Sequence, residues 1–314
     1  MNLDFEKPVA DIEEQIAALK DKNPEPSAAV QEDIAKLEAD WKTKLEEIYA
    51  GLTPWQMVQV ARHPERPLIR DFIKGLCSEF VELHGDRLFG DDLGMIGGLA
   101  TIEGIRVMLI GHQKGRTLEE KIKFNFGQAC PEGYRKALRL MHLAEKWRLP
   151  VVTFIDTPGA FPGKEAEERG QAEAIARNLM EMASLRTPVV ALVTGEGGSG
   201  GAIGIGVGDV ILMMSNAVYS VISPEGCASI LWRDGTKAPE AANALKITAQ
   251  SLRELGIVDE IVPEPVGGAH RDYDGTMTAT KKVLVKHLKR LKDVSSKKLL
   301  ARRFDKYAAM GRFK

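Results

Sequence analysis

Apolar residues Val30, Ile34, Leu37, Trp41, Leu45 and Ile48 recur at spacings of three and four, which draws one stripe down a helix. A shorter stripe over Ile12, Ile16 and Leu19 precedes it, and the Pro-rich break "DKNPEPSAA" separates the two. The pattern therefore predicts a helical hairpin inside a helical region covering residues 1–80. The stripe needs a cover, either the rest of the chain or another subunit. From Met95 the period shortens. "MIGGLATI" and "RVMLIGHQK" flank the dipeptide "EG", a hairpin spacing. Residues 131–148 then read as helix, "VVTFID" as strand, residues 165–185 as helix and "PVVALVTG" as strand. Helical connections between strands favour a parallel sheet covered by helices, so the class is α/β. After "NAVYSVI" come more helices, a strand at "GIVDEIVPE" and a C-terminal helix carrying Val283, Val285, Leu288 and Leu291.

Length and charge add limits. The 314 residues suffice for one large or two modest domains. No apolar run approaches the roughly 20 residues that span a bilayer, and the acidic start "MNLDFEKPVADIEE" is unlike a signal peptide. The expectation is a soluble, cytoplasmic protein with no membrane contact. Cys77, Cys130 and Cys227 lie far apart without a C-x-x-C, which argues for free thiols and against a zinc ribbon. The six histidines are dispersed, so no metal site is expected. The net charge of -1 conceals a gradient: residues 1–50 hold 13 Asp/Glu against 6 Lys, and residues 281–314 hold 13 Lys/Arg against 2 Asp. The apolar spacing within that basic tail favours a solvated helix face or an acidic partner over nucleic acid.

The candidate chemistry lies in "GEGGSGGA", with five glycines in the eight residues from Gly195 to Ala202. It sits between two apolar runs, so it reads as a structured backbone site and not as a linker. Three meanings compete. Gly195, Gly197 and Gly200 spell a dinucleotide fingerprint, but no acidic residue follows about 20 positions on. Ser199 fits a nucleophile elbow, with Asp259 and His270 downstream in the order of a hydrolase triad. In the third reading "DTPGAFPG" (residues 156–163) and "GEGGSGGA" each join a strand to a helix and aim backbone N–H groups at a developing oxyanion.

Seven segments in order, "IGHQKGR", "NFGQACPEGYRKALRLM", "FIDTPGAFPG", "AEERGQAEAIARNL", "GEGGSGGAIGIGVGD", "YSVISPEGCASILW" and "EPVGGAH", closely resemble the carboxyltransferase alpha subunits of bacterial acetyl-CoA carboxylase. The resemblance runs from "LDFEKP" to about Arg271 and weakens in the tail. It implies a crotonase-like core of repeated β-β-α turns over residues 81–271, an N-terminal helical hairpin within residues 1–80, and a helical C-terminal extension, residues 272–314. It implies transfer of a carboxyl group from carboxybiotin on a biotin carboxyl carrier protein to acetyl-CoA, giving malonyl-CoA, the first committed step of fatty acid synthesis. A separate beta subunit is implied in an α2β2 heterotetramer, with zinc on beta alone and no covalently bound cofactor here.

Under that reading the N–H groups of Gly200 and Gly201, with Gly159 and Ala160 opposite, are the expected catalytic oxyanion donors. Gly197, Gly198, Lys114 and Arg116 are the expected substrate contacts. Arg135, Lys136 and Arg139 are expected on a solvated helix face, and the acidic "EAEERGQ" as helix capping. Glu196, Glu225 and His270 remain as side chains that an acid, a base or a substrate contact would use. An interaction-only protein, resting on the helical N-terminus, is the remaining different class.

Overall fold

The computed structural model describes residues 3–311. Helices α1 (Lys7–Lys22) and α2 (Ala28–Ala50) form the hairpin that the apolar stripes predict. The Asn23 amide donates to the Leu19 carbonyl at the end of α1, and Ser27 Oγ accepts from the Val30 N–H at the start of α2. The cover for the stripe comes from within the chain. Leu45, 1% exposed, packs against the loop at Gly267, while Arg271 pairs with Glu6 and Glu13 and passes over the Trp41 ring. Helices α3 (Pro54–Ala61) and α4 (Ile69–Leu76) complete this region.

The sheet opens with β1 (Glu79–Glu82), β2 (Met95–Ile102) and β3 (Ile105–His112), paired antiparallel. Glu103 and Gly104 join β2 to β3, both at positive φ (47° and 72°), as a two-residue turn of the right twist requires. Next come α5 (Leu118–Lys123), α6 (Pro131–Trp147), β4 (Val151–Thr157), α7 (Lys164–Glu168), α8 (Gln171–Ser184), β5 (Val189–Gly198) and α9 (Ser199–Ile203). They are followed by β6 (Val210–Met214), β7 (Val218–Ser220), α10 (Pro224–Trp232), α11 (Ala238–Leu245), α12 (Ala249–Glu254), β8 (Glu260–Val262), α13 (Tyr273–Lys292) and α14 (Ser296–Ala309). Strand order is β1-β2-β3-β4-β5-β6-β8, parallel from β3 onward, with β7 beside the end of β5. β4, β5 and β6 are buried at every position, because helices cover both faces of a parallel sheet. On one face Leu140 of α6 lies against Gly97; on the other, Ile69 and Phe72 of α4 meet Gly111 and Phe154.

One expected element is divided. The helical stretch over residues 165–185 breaks into α7 and α8 at Gly170, whose φ of 82° leaves the helical region. That break turns α8 back across α6 and lets Gln171 donate to the Ala129 and Phe161 carbonyls.

The basic C-terminal segment is woven into the core. Met277, Leu284, Leu288 and Leu299 belong to the main apolar cluster. Arg303, 1% exposed, is a clasp. Its Nη1 donates to the Met182 and Leu185 carbonyls at the end of α8, its Nη2 to Thr187 O, and it forms a two-pronged pair with Asp209. One guanidinium thus ties the end of α8, the turn after it and Asp209 together. Arg303→Met strands Asp209 and those carbonyls, so it should cost about 3–5 kcal/mol of stability. Chemical unfolding followed by circular dichroism measures it; an unchanged midpoint would show that α14 docks by its apolar face alone.

Candidate functional site

β4 and β5 are parallel neighbours, so the loops that follow them open side by side at the carboxyl edge of the sheet, where α/β proteins place their ligands. Their register runs evenly from Val151 opposite Val189 to Ile155 opposite Val193, then shifts so that Thr157 faces Gly197. Asp156 sits at the shift. Its buried carboxylate accepts from the Glu196 N–H (3.0 Å) and from Lys114 Nζ (2.6 Å), stitching both loops to the end of β3. Gly195 has no side chain because this carboxylate fills its place: a Cβ there would lie 2.5 Å from Oδ1.

The two glycine-bearing loops meet at Gly201. A Cβ on it would lie 2.4 Å from the Gly159 carbonyl carbon and 2.6 Å from Ala160 N. The bare Cα therefore serves contact between the loops, not approach of a ligand. Gly198 and Gly197 are alike in this, facing Pro158 O and the Tyr219 ring. Gly200 and Gly159 look outward; Gly200 has only Ile175 Cδ1 at 3.6 Å, and Gly159 has nothing within 4 Å. The four expected donors thus lie together, but they are not equivalent. The Gly159 N–H is spent within its own loop, on Thr157 Oγ1 at 3.1 Å. The Ala160 N–H meets no acceptor among the described residues, and those of Gly200 and Gly201 lie in the first turn of α9, before any intrahelical acceptor. Beside them runs a cleft of about 480 Å³, lined by Gln128, Ala160, Phe161, Gln171, Ser199 and Gly200.

The charged candidates take other roles. Lys114 is held by Asp156, while Arg116 pairs with Asp71 at 2.5 Å and donates to Tyr273 Oη at 2.8 Å. Neither side chain is presented free to a substrate. Glu196 and Glu225 share Arg62, at the end of α3, with contacts of 2.6 and 2.5 Å. Burial works against ionisation of Glu225, yet the hydrogen bond from Arg62 holds its carboxyl below the ordinary value. Neither carboxylate is a free acid or base.

His112 is enclosed behind this edge, and burial holds its pKa down to about 4 despite the Asp156 charge. The Gly201 and Phe154 carbonyls lie alongside its ring short of hydrogen-bonding geometry. His270 is stacked on His63, with ring centroids 3.9 Å apart, and burial lowers its pKa to about 4. The expectation of a solvated face for Arg135, Lys136 and Arg139 is overturned. Asp86 takes Arg135, Asp91 takes Lys136, and the Gly85 and His84 carbonyls take Arg139, so the segment before β2 folds over α6.

The triad reading fails on the same grounds. Ser199 has the positive φ (50°) of an elbow, but Asp259 is engaged by the Ile211 N–H and by Lys306, and His270 by His63. No group of three or more His, Cys, Asp or Glu among the described residues could hold a metal ion, and no helix among them is long and apolar enough to cross a membrane. Asp156, Thr157 and Arg62 are the site-building residues that the sequence reading passed over. The motif Thr157-Pro158-Gly159 carries the one local signal, a hydroxyl two residues before a glycine, as in side-chain-to-backbone turns.

Comparison with known proteins agrees with this geometry. The family described as "Acetyl co-enzyme A carboxylase carboxyltransferase-like" matches residues 2–311. The acetyl-coenzyme A carboxylase carboxyl transferase subunit alpha of Geobacter metallireducens is 54% identical over 311 residues, 99% of this chain and 98% of that protein. The same subunit of Cupriavidus necator is 53% identical over 312 residues, 99% and 97% of the two chains. Among solved structures, transcarboxylase 12S superposes with a TM-score of 0.59 at 18% identity, covering 72% of this chain and 42% of the other. The beta subunit of P. aeruginosa geranyl-CoA carboxylase gives 0.57 at 17%, covering 78% and 46%. A Pseudomonas malonate decarboxylase hetero-tetramer in complex with coenzyme A gives 0.60 at 14%, covering 76% and 94%. These likenesses place the core in the crotonase-like fold.

The contrast between neighbouring glycines is testable by single methyl groups. Gly200→Ala has room and a helical backbone, so its unfolding midpoint should stay level or rise slightly. Gly201→Ala drives a methyl into the Gly159–Ala160 peptide and should lower stability by about 1–3 kcal/mol. Equal thermal stability of the two variants, read by calorimetry, would contradict the loop contact.

Proposed function

The chain belongs to the family of acetyl-CoA carboxylase carboxyltransferase alpha subunits, and from that membership we propose a division of labour for its site. The chain is a transferase subunit and works with a partner subunit. We assign it the carboxybiotin side of the reaction, with a beta subunit in an α2β2 assembly closing the site and supplying the acetyl-CoA side. The biotin carboxyl carrier protein delivers the substrate, in the cytoplasm.

In this reaction the N–CO2 bond of carboxybiotin breaks, and its electron pair stays on the ureido group, whose oxygen becomes negative. That anion takes the α-proton of acetyl-CoA, and the resulting enolate carbon bonds to the released CO2, giving malonyl-CoA. A fixed N–H donor aimed at such an oxygen is typically worth about 3 kcal/mol of barrier. The single observation that supports the assignment is the seam at Gly201, where two loops from adjacent strands are pressed together beside an open cleft. The donors we assign are the N–H groups of Gly200, Gly201 and Ala160. The Gly159 N–H is left out because Thr157 already occupies it. Lys114 and Arg116 support the site through Asp156 and Asp71 and do not hold substrate. No side-chain nucleophile is required, in keeping with the dispersal of Ser199, Asp259 and His270.

Co-expression with a beta subunit, followed by malonyl-CoA-dependent carboxylation of biocytin, tests this reading. The pair should transfer and the lone chain should not. In the assembled enzyme Gly200→Val, which crowds the open side of α9, should lower kcat about a hundredfold with the complex intact by sedimentation, whereas Ser199→Ala should retain most activity. Full turnover in Gly200→Val would remove this loop from the chemistry, and loss of activity in Ser199→Ala with covalent labelling by a fluorophosphonate would restore the hydrolase reading.

A further inference from the structure

Thr157 contacts no part of the open cleft, yet it controls the backbone that borders it. It is fully buried at the end of β4. Its Oγ1 accepts from the Gly159 N–H at 3.1 Å and donates to the Gly159 carbonyl oxygen at 2.6 Å. One hydroxyl thus grips both polar groups of a residue whose φ of 156° an L side chain seldom adopts. The second bond has the larger consequence. The Gly159 carbonyl and the Ala160 N–H belong to one planar trans peptide and point in opposite directions. Anchoring the carbonyl to Thr157 therefore fixes the line along which the Ala160 N–H points. Gly201, packed on the same peptide, limits its rocking.

We propose that Thr157 is the positioning residue of the carboxyl-transfer site, its hydroxyl orienting the Ala160 N–H donor by holding the other end of that peptide. The inference rests on the assignment of Ala160 as an oxyanion donor. The hydroxyl also withdraws the Gly159 N–H from competition, so the loop offers one donor in one direction. A donor free to swing would have to be ordered as charge develops, and donors held in place beforehand avoid that cost.

The test uses the assembled alpha and beta complex. Thr157→Val keeps the shape and removes the hydroxyl; it should lower kcat for biocytin carboxylation by about ten- to a hundredfold, with KM and sedimentation unchanged. Thr157→Ser restores the hydroxyl and should recover turnover to within about threefold of the parent. Thr157→Ala gives the same reading if valine does not assemble.

Ala160→Pro deletes the donor itself, so combining it with Thr157→Val should cost no more than the worse single change. Parent-like kcat in Thr157→Val, failure of Thr157→Ser to recover, or additive losses in the double variant would each overturn the inference. Gly200→Val in parallel separates the two levels of argument. If it is active, the site assignment falls; if it is impaired while Thr157→Val is not, only the role of Thr157 falls.

Discussion

A buried carboxylate at Asp156 organises this molecule. By accepting the Glu196 N–H and the Lys114 ammonium, it joins the ends of three adjacent strands at the point where the β4 and β5 register slips. A regular ladder would send the chain onward as sheet. The slip releases both strands into loops at the same height, and the bare Gly195 gives the carboxylate its seat. Thr157, the Gly201 contact and the start of α9 all lie within a few residues of this junction. A charge taken out of water is stable only when its partners are complete, and here that requirement keeps the loops in register.

The N-terminal helices are tied to the same edge. Arg62 bridges Glu196 and Glu225, the first just before the glycine run and the second in the first turn of α10. Arg66, four residues on, donates to the Thr194 carbonyl and forms a buried pair with Glu264, which in turn accepts from the Asn216 and Ala269 N–H groups. Burial alone would push the Glu264 pKa up; Arg66 and these donors bring it below its ordinary value. The helical region thus reaches the site walls through two guanidiniums whose forks match carboxylate geometry, a role for which lysine lacks the shape.

Much of the architecture was legible because it depends on local rules. The "EG" turn was legible from its two-residue spacing between apolar runs, and the hairpin stripe was written at helical spacing. The glycine-rich strand ends pointed to the two loops that meet beside the cleft. What local sequence did not reveal was the direction in which each glycine faces. Gly200 and Gly201 are neighbours of identical chemistry, and only the approach of a distant loop distinguishes them. Arg135, Lys136 and Arg139 read as solvated because their acceptors lie about 45 to 55 residues earlier in the chain. The break at Gly170 was visible as a glycine but not as a change of helix direction, which depends on packing against α6.

The Arg303 clasp bears on how the chain is made. The Met182 carbonyl and the guanidinium that answers it are 121 residues apart. At ribosomal speeds of about 5–20 residues per second, the first waits on the order of ten seconds for the second. Through that interval the nascent chain carries the end of α8 and the start of β5 with open acceptors and Asp209 without its counter-charge. Folding of this edge is thus completed only once residue 303 has been made, and a chain cut short of that residue would carry every strand of its sheet with this one seam unsealed.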